Sequence, residues 1–159
     1  MRLLKRICFV LALTFISTQS YAQSDEKIAV GIQLGNFSSG LSAKYRFTDT
    51  ITGQGTLGFF GQLTKVGARG LYAFNTGPNY EIFGFGAINV FRFDGSFLVG
   101  SETVVGLGVG AGIEYDLRGL AETLPPLFVS FELGFNLVNF DNFGGFSSFG
   151  QGIALHYRF

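Results

Sequence analysis

The stretch Gln151-Gly152-Ile153-Ala154-Leu155-His156-Tyr157-Arg158-Phe159 decides the fold. Apolar residues occupy 153, 155, 157 and 159, and small or polar ones occupy 152, 154, 156 and 158. A period of two is the signature of a β-strand, whose successive side chains point to opposite faces. One face of this strand requires apolar surroundings and the other polar ones. The same alternation recurs along the chain. In Thr103 to Leu117 it is nearly unbroken: Val105, Leu107, Val109, Ala111, Ile113, Tyr115 and Leu117 alternate with Gly106, Gly108, Gly110, Gly112, Glu114 and Asp116.

Eight strands are predicted, over about 27–36, 40–48, 51–61, 65–74, 80–92, 103–117, 127–137 and 148–159. The fifth carries bulky apolar residues at both parities, so its faces are not assigned, and a bulge is expected near Gly84 or Gly86. Connections at 49–50, 75–79 and 118–126 fall on one side. Those at 36–40, 61–64, 93–101 and 138–147 fall on the other. An even strand number leaves both termini on one side, and strands of about 9–11 residues suit a tilted membrane crossing.

The first 22 residues are read as a secretory leader. Arg2, Lys5 and Arg6 precede an apolar run from Ile7 to Ile16, and Ser20-Tyr21-Ala22 offers small residues at the −3 and −1 positions of a cleavage site. The run is too short to span a bilayer, and Cys8 lies too early to be a lipid attachment site. Residues 23–159 then form one domain. Losing the leader removes three of the 11 basic residues and none of the 11 acidic ones, leaving a net charge of −3. It also removes the single Cys and the single Met, so disulfides and cysteine-based metal sites are excluded and no cofactor or metal is expected. No basic patch invites nucleic acid.

Charged residues make up 14% of the chain, against about 25% for a typical soluble domain. A soluble barrel with its apolar face inward would need a densely charged outer surface. The polar face here is mostly Gly, Ala and Ser with isolated charges, which suits the interior of a narrow barrel whose apolar face meets lipid. After the leader no apolar run is long enough for a spanning helix. A membrane location therefore demands a closed barrel, which satisfies every backbone group internally.

The leader, the eight alternating strands, the Gly-Val-Gly-Ala-Gly-Ile-Glu-Tyr stretch at 108–115 and the Tyr157-Arg158-Phe159 end resemble the small eight-stranded outer-membrane β-barrel family, which includes the OmpA transmembrane domain and OmpX. The resemblance covers residues 23–159. It implies an all-β, closed, antiparallel, up-and-down transmembrane barrel in the bacterial outer membrane. It also implies contact with outer-membrane lipid and lipopolysaccharide, a monomeric state, and delivery by the barrel-insertion machinery. Within the last strand Gly152, Leu155, Tyr157 and Phe159 match the C-terminal insertion signal. The chain departs from the family pattern in its short outer loops and its lack of Trp, and its end at Phe159 leaves the expectation of no appended peptidoglycan-binding domain.

Four constellations carry candidate chemistry. Lys44, Arg46, Lys65, Arg69 and Arg158 share the inward face with Glu114, Asp116 and Glu132. In a filled lumen they are expected to pair, because a buried charge without a partner costs several kcal/mol; the other reading of the basic set is an anion path. His156, the sole His, falls opposite Ser130 and diagonal to Glu132 if Leu127 pairs near Phe159. That trio would be either the nucleophile, base and orienter of a lipid-modifying hydrolase or a structural network of His156, Glu132 and Arg158. The structural reading is favoured, since hydrolysis of lipid needs an open site. The glycines from 106 to 112 recur every second residue with no helix after them, unlike a phosphate-binding turn. Lastly, Phe140, Phe143, Phe146 and Phe149 recur every three residues in the expected last outer loop, and Phe91, Phe93 and Phe97 flank the third. They form an interfacial aromatic belt or a contact site for lipid or a partner. The expected role is structural or interactive and non-catalytic. A narrow pore or small-solute transporter is the alternative, and a lipid-modifying hydrolase ranks third.

Overall fold

Alternation at period two, sustained from residue 28 to 158, leaves no segment able to form a long helix. The computed structural model accordingly is almost all strand; it describes residues 26–35, 39–60, 63–93, 102–140 and 144–159. The strands are β1 Ile28–Gly35, β2 Gly40–Arg46, β3 Ile51–Phe60, β4 Leu63–Thr76, β5 Tyr80–Phe93, β6 Glu102–Asp116, β7 Leu127–Phe140 and β8 Gly144–Arg158. Each pairs antiparallel with its sequence neighbour, and β8 closes on β1 through Ile32 opposite Leu155. Closure removes both sheet edges, so every ladder is satisfied within the chain. The leader predicted at 1–22 lies outside the described residues.

The alternation sorts the faces. Ile28, Val30, Ile32, Val105, Leu107, Val109, Ile153 and Leu155 point outward and are exposed, while Gln33, Lys44, Gln54, Arg69, Glu114, Glu132 and His156 are buried inside. A small apolar cluster of Leu71, Phe83 and Phe85 fills part of the lumen. Outward aromatics gather at the end that carries the termini. Tyr45, Tyr72 and Tyr80 are exposed there, and Tyr45–Phe47 and Tyr157–Phe159 stack edge to face.

Backbone geometry is tightest where strands approach without side chains between them. Gly40 opens β2 at φ 139°, and a Cβ there would stand 2.1 Å from the Leu57 carbonyl oxygen. At the terminus-bearing end, a turn of 3-10 helix at Leu117–Gly119 follows β6, capped by the Asp116 side chain, which accepts from the Arg118 N–H.

Three sequence expectations are corrected. Strand five is regular. Its inward residues are Phe83, Phe85, Asn89 and Phe91 and its outward ones include Ile88 and Val90; the register shift lies instead on its partner β4, between Ala73 and Asn75. Both parities read as apolar because the inward phenylalanines serve cations, as described below. Next, β7 and β8 run on into the expected loop at 138–147. Val138 pairs with Phe146, Asn139 with Gly145 and Phe140 with Gly144. The backbone of Gly144 and Gly145 completes this ladder. Finally, Leu127 pairs with Tyr157 rather than near Phe159. The last residue overshoots β7, and its N–H donates to the Ile28 carbonyl on β1 at 2.7 Å. The shift sets His156 opposite Phe128, and Ser130 opposite Ala154.

Candidate functional site: the lumen charge network

Inward positions on six strands, β2 and β4 to β8, bring charges from distant parts of the chain together. At mid-lumen Glu132, 0% exposed, sits on β7. Its Oε2 accepts from Arg69 Nη2 on β4 at 2.8 Å and from Gln33 Nε2 on β1 at 2.8 Å, and its Oε1 accepts from Arg69 Nη1 at 3.3 Å. Arg69 also donates to Gln33 Oε1 at 3.2 Å. Its guanidinium lies 3.9 Å from the centroid of Phe85, whose π-face favours a cation. The charge-assisted bonds and the aromatic face together replace the water that both ions lost.

From Gln33 the network continues through amides. Gln54 Nε2 donates to Gln33 Oε1 at 3.1 Å and to Ser42 Oγ at 2.6 Å, and His156 Nε2 lies 3.0 Å from the same Ser42 Oγ. Toward the terminus-bearing end, Glu114 bridges two cations: Lys44 pairs with its Oε2, and Arg158 Nη2 donates to its Oε1 at 2.8 Å. Lys44 Nζ is 5.8 Å from the Phe83 centroid, and the Arg158 guanidinium is 3.7 Å from that of Phe128. Arg46 donates to Glu81 Oε2 at 2.7 Å.

At the rim, Arg118 Nη2 donates to Asp116 Oδ2 at 2.7 Å, and Arg118 Nη1 donates to Glu26 Oε1 at 2.9 Å. These carboxylates raise the guanidinium above its ordinary arginine pKa, so it holds its proton throughout the accessible pH range.

The sequence-predicted charges thus fall into several groups. Lys44, Glu114 and Arg158 form one ion group, and Arg69 and Glu132 a second. Arg46 pairs with Glu81, which sequence reasoning left out although its position alternates inward. Asp116 joins Arg118 at the rim instead of the lumen group. Lys65 makes no ion pair among the described residues; its Nζ lies 5.2 Å from the Phe91 centroid. His156 hydrogen-bonds to neither Ser130 nor Glu132, which corrects both the proposed trio and the proposed network with Glu132 and Arg158. The pairing register is the cause: it carries His156 next to Ser42 on β2, across the closing β1–β8 seam. Gln33, Ser42, Gln54 and the inward Phe series were also missed. Their inward parity was the available signal, and it counts equally for neutral residues.

The core of the arrangement has little room for chemistry, while toward the terminus-bearing mouth a space of about 140 Å³ opens between Arg46, Glu81, Glu114, Asp116, Arg118 and Arg158. Between Lys44, Arg46, Glu81, Phe83, Glu114 and Arg158 the free volume is about 10 Å³, roughly one water. His156 is 1% exposed. Among the described residues, no group of three or more His, Cys, Asp or Glu residues could hold a metal. Of the Phe series, Phe149 points outward and stacks edge to face on Phe135 at 5.4 Å. Phe140 ends β7 and Phe146 lies within β8, and Phe143 and Phe97 lie outside the described residues.

Comparison with known proteins gives structural matches. No family model and no curated protein matches the chain. The N-terminal β-barrel domain of Pseudomonas aeruginosa OprF superposes with a TM-score of 0.52 at 14% identity, covering 82% of this chain and 96% of that one. Neisserial surface protein A, NspA, superposes with a TM-score of 0.52 at 18% identity, covering 84% and 94%. Both are similar to this chain along nearly their whole length, and the chain has the fold of the small eight-stranded outer-membrane β-barrels.

Proposed function

We propose that the chain is a monomeric integral protein of the bacterial outer membrane with a structural or interactive, non-catalytic role. One observation carries this reading: the outward face is apolar around the barrel, while the charges are folded inward into bonded groups. Among the described residues, thirty large hydrophobic residues are exposed, from Ile28 to Phe159. In water such a surface would aggregate, whereas in hydrocarbon it is the expected solvent-facing surface. The Tyr-rich rim fits an interfacial belt at the periplasmic side, where both termini would lie. A cleaved leader at 1–22 and a C-terminal insertion signal at Gly152, Leu155, Tyr157 and Phe159 belong to the same reading. So does contact of Phe149 and the neighbouring Phe140, Phe143 and Phe146 with outer-leaflet lipid or lipopolysaccharide.

The filled lumen supports a closed body over a narrow pore or solute transporter, and the burial of His156 argues against a lipid-modifying hydrolase. The test combines location and transport. Protein recovered from outer-membrane fractions is expected to migrate faster on unheated gels than on boiled ones, and to give no stable conductance in planar bilayers. Stable, selective conductance would replace this reading with the pore; esterase activity dependent on His156 would replace it with the hydrolase.

A further inference from the structure

The connection from β6 to β7 is the long one at the terminus-bearing end. It runs from Leu117 to Pro126, whereas β2–β3 and β4–β5 are joined there by residues 47–50 and 77–79. A tight turn suffices to join antiparallel neighbours, so the length exceeds what the topology needs. The stretch Gly119-Leu120-Ala121-Glu122-Thr123-Leu124-Pro125-Pro126 holds a single charged residue. Leu120 is 72% exposed, more than any other large hydrophobic residue among those described, and Leu124 is 38% exposed. Hydrogen bonds set the shape of the loop. The Leu120 N–H donates to the Leu117 carbonyl at 3.0 Å and the Leu124 N–H to the Ala121 carbonyl at 3.0 Å, so each leucine closes a turn. Arg118 pins the base of the loop through its bonds to Asp116 and Glu26.

The loop straddles the rim. Arg118 turns toward the lumen: its guanidinium lies 5.6 Å from the centroid of the inward Phe128, and it lines the mouth space, which neither leucine does. The next residue sits on the other side. A Cβ on Gly119 would stand 2.7 Å from the Tyr115 hydroxyl oxygen, and Tyr115 shares the outward parity of Ile113 and pairs with the outward Tyr80. Aromatic residues mark the outward rim on β4 (Tyr72), β5 (Tyr80), β6 (Tyr115) and β8 (Tyr157), whereas β7 starts there with Leu127 and Val129. The connection stands beside that gap. Given the outer-membrane reading above, on which this rests, we infer that Leu120 and Leu124 anchor the loop in the phospholipid leaflet at this end of the barrel, about 5–10 Å into the boundary between headgroups and acyl chains. Continuity with the apolar outward face selects lipid over a soluble partner. Pro125 and Pro126 have no N–H, which removes two donors that such a boundary would leave unbonded. Glu122, exposed between the two leucines in sequence, belongs on the headgroup side.

The chain has no Trp, so a single introduced tryptophan reports on one position. Leu120→Trp, Leu124→Trp, Glu122→Trp and Val109→Trp are refolded into phosphatidylcholine vesicles whose acyl chains are brominated near the glycerol end or near the methyl end, and folding is checked on unheated gels. Leu120→Trp and Leu124→Trp are expected to emit at shorter wavelength than Glu122→Trp. They should lose more emission to the shallow bromines than to the deep ones, and little to dissolved iodide. Val109→Trp, on the barrel wall, should be quenched by bromine whatever the loop does. Water-like emission and iodide quenching at both leucine positions, with Val109→Trp quenched by bromine, would overturn the anchor and leave the leucines as a surface for a soluble partner. Equal bromine quenching of Glu122→Trp would also overturn it, because tryptophan itself seeks the interface. An unquenched Val109→Trp would overturn the membrane reading along with the anchor, which keeps the two failures distinct.

Discussion

Replacing Glu132 with Gln keeps the size of the side chain and removes its charge, and the structure sets the consequence. Arg69 loses its counter-ion at 2.8 Å while remaining enclosed by the wall and by Phe85. One acceptor facing Gln33 and Arg69 becomes an amide donor, so at least one of three hydrogen bonds is also lost. Removing one partner of a buried pair costs about 3–5 kcal/mol, mostly the penalty of the stranded charge. The double variant Arg69→Met with Glu132→Gln removes that stranded charge and is expected to be about 2 kcal/mol more stable than Glu132→Gln alone. The assay is urea unfolding of barrels refolded into lipid vesicles, with the folded fraction read from unheated gels. The midpoint should fall while the slope, which follows the surface exposed on unfolding, stays constant. A loss under about 1 kcal/mol for Glu132→Gln would refute the reasoning, since such a value belongs to a solvated pair. So would a double variant no more stable than the single.

Other outcomes follow from the packing. Gly110→Val should yield no folded band, because its Cβ would stand 2.4 Å from the Leu133 carbonyl oxygen and 2.5 Å from Phe85 Cζ, whereas Gly86→Val, with nothing within 4 Å, should fold like the parent. On the outward face, Leu107→Arg should cost about 2–4 kcal/mol in vesicles, and Leu107→Phe less than about 1 kcal/mol, both measured by the same urea titration. Phe85→Leu should cost about 2 kcal/mol, through loss of the aromatic face under Arg69, and the variant carrying Arg69→Met as well should show a smaller increment for the same ring.

Much of this was legible in the sequence, and the illegible parts have physical causes. The strict alternation in Thr103 to Leu117 and in the last nine residues fixes which side chains share a face, because the period of a strand is two. Lys44, Arg69, Glu114, Glu132 and Arg158 were therefore assigned to one face without knowledge of pairing. The partner of each charge depends on register, which alternation leaves free in steps of two residues. Shifting Leu127 from Phe159 to Tyr157 moved His156 from Ser130 to Phe128 and dissolved the Ser-His-Glu trio. Closure matters too: Ser42 reaches His156 only because β1 and β8 meet, a contact between residues 114 apart in sequence. Strand five defeated a reading based on hydropathy alone. Phe83, Phe85 and Phe91 are apolar yet belong to the polar face, where they lie against Lys44, Arg69 and Lys65. The connection expected at 138–147 is largely ladder instead, and glycine at 144 and 145 suits an unobstructed ladder as well as a loop.

Which face meets the membrane is the claim on which the remainder depends, and the chain after Ala22 contains no Cys, so single nitroxide labels can be placed one at a time along β6 in vesicles. Collision with dissolved oxygen, which concentrates in hydrocarbon, is expected to peak at 105, 107, 109, 111 and 113 and to drop at 106, 108, 110, 112 and 114. Peaks at the even positions, or a profile without a period of two, would contradict the account.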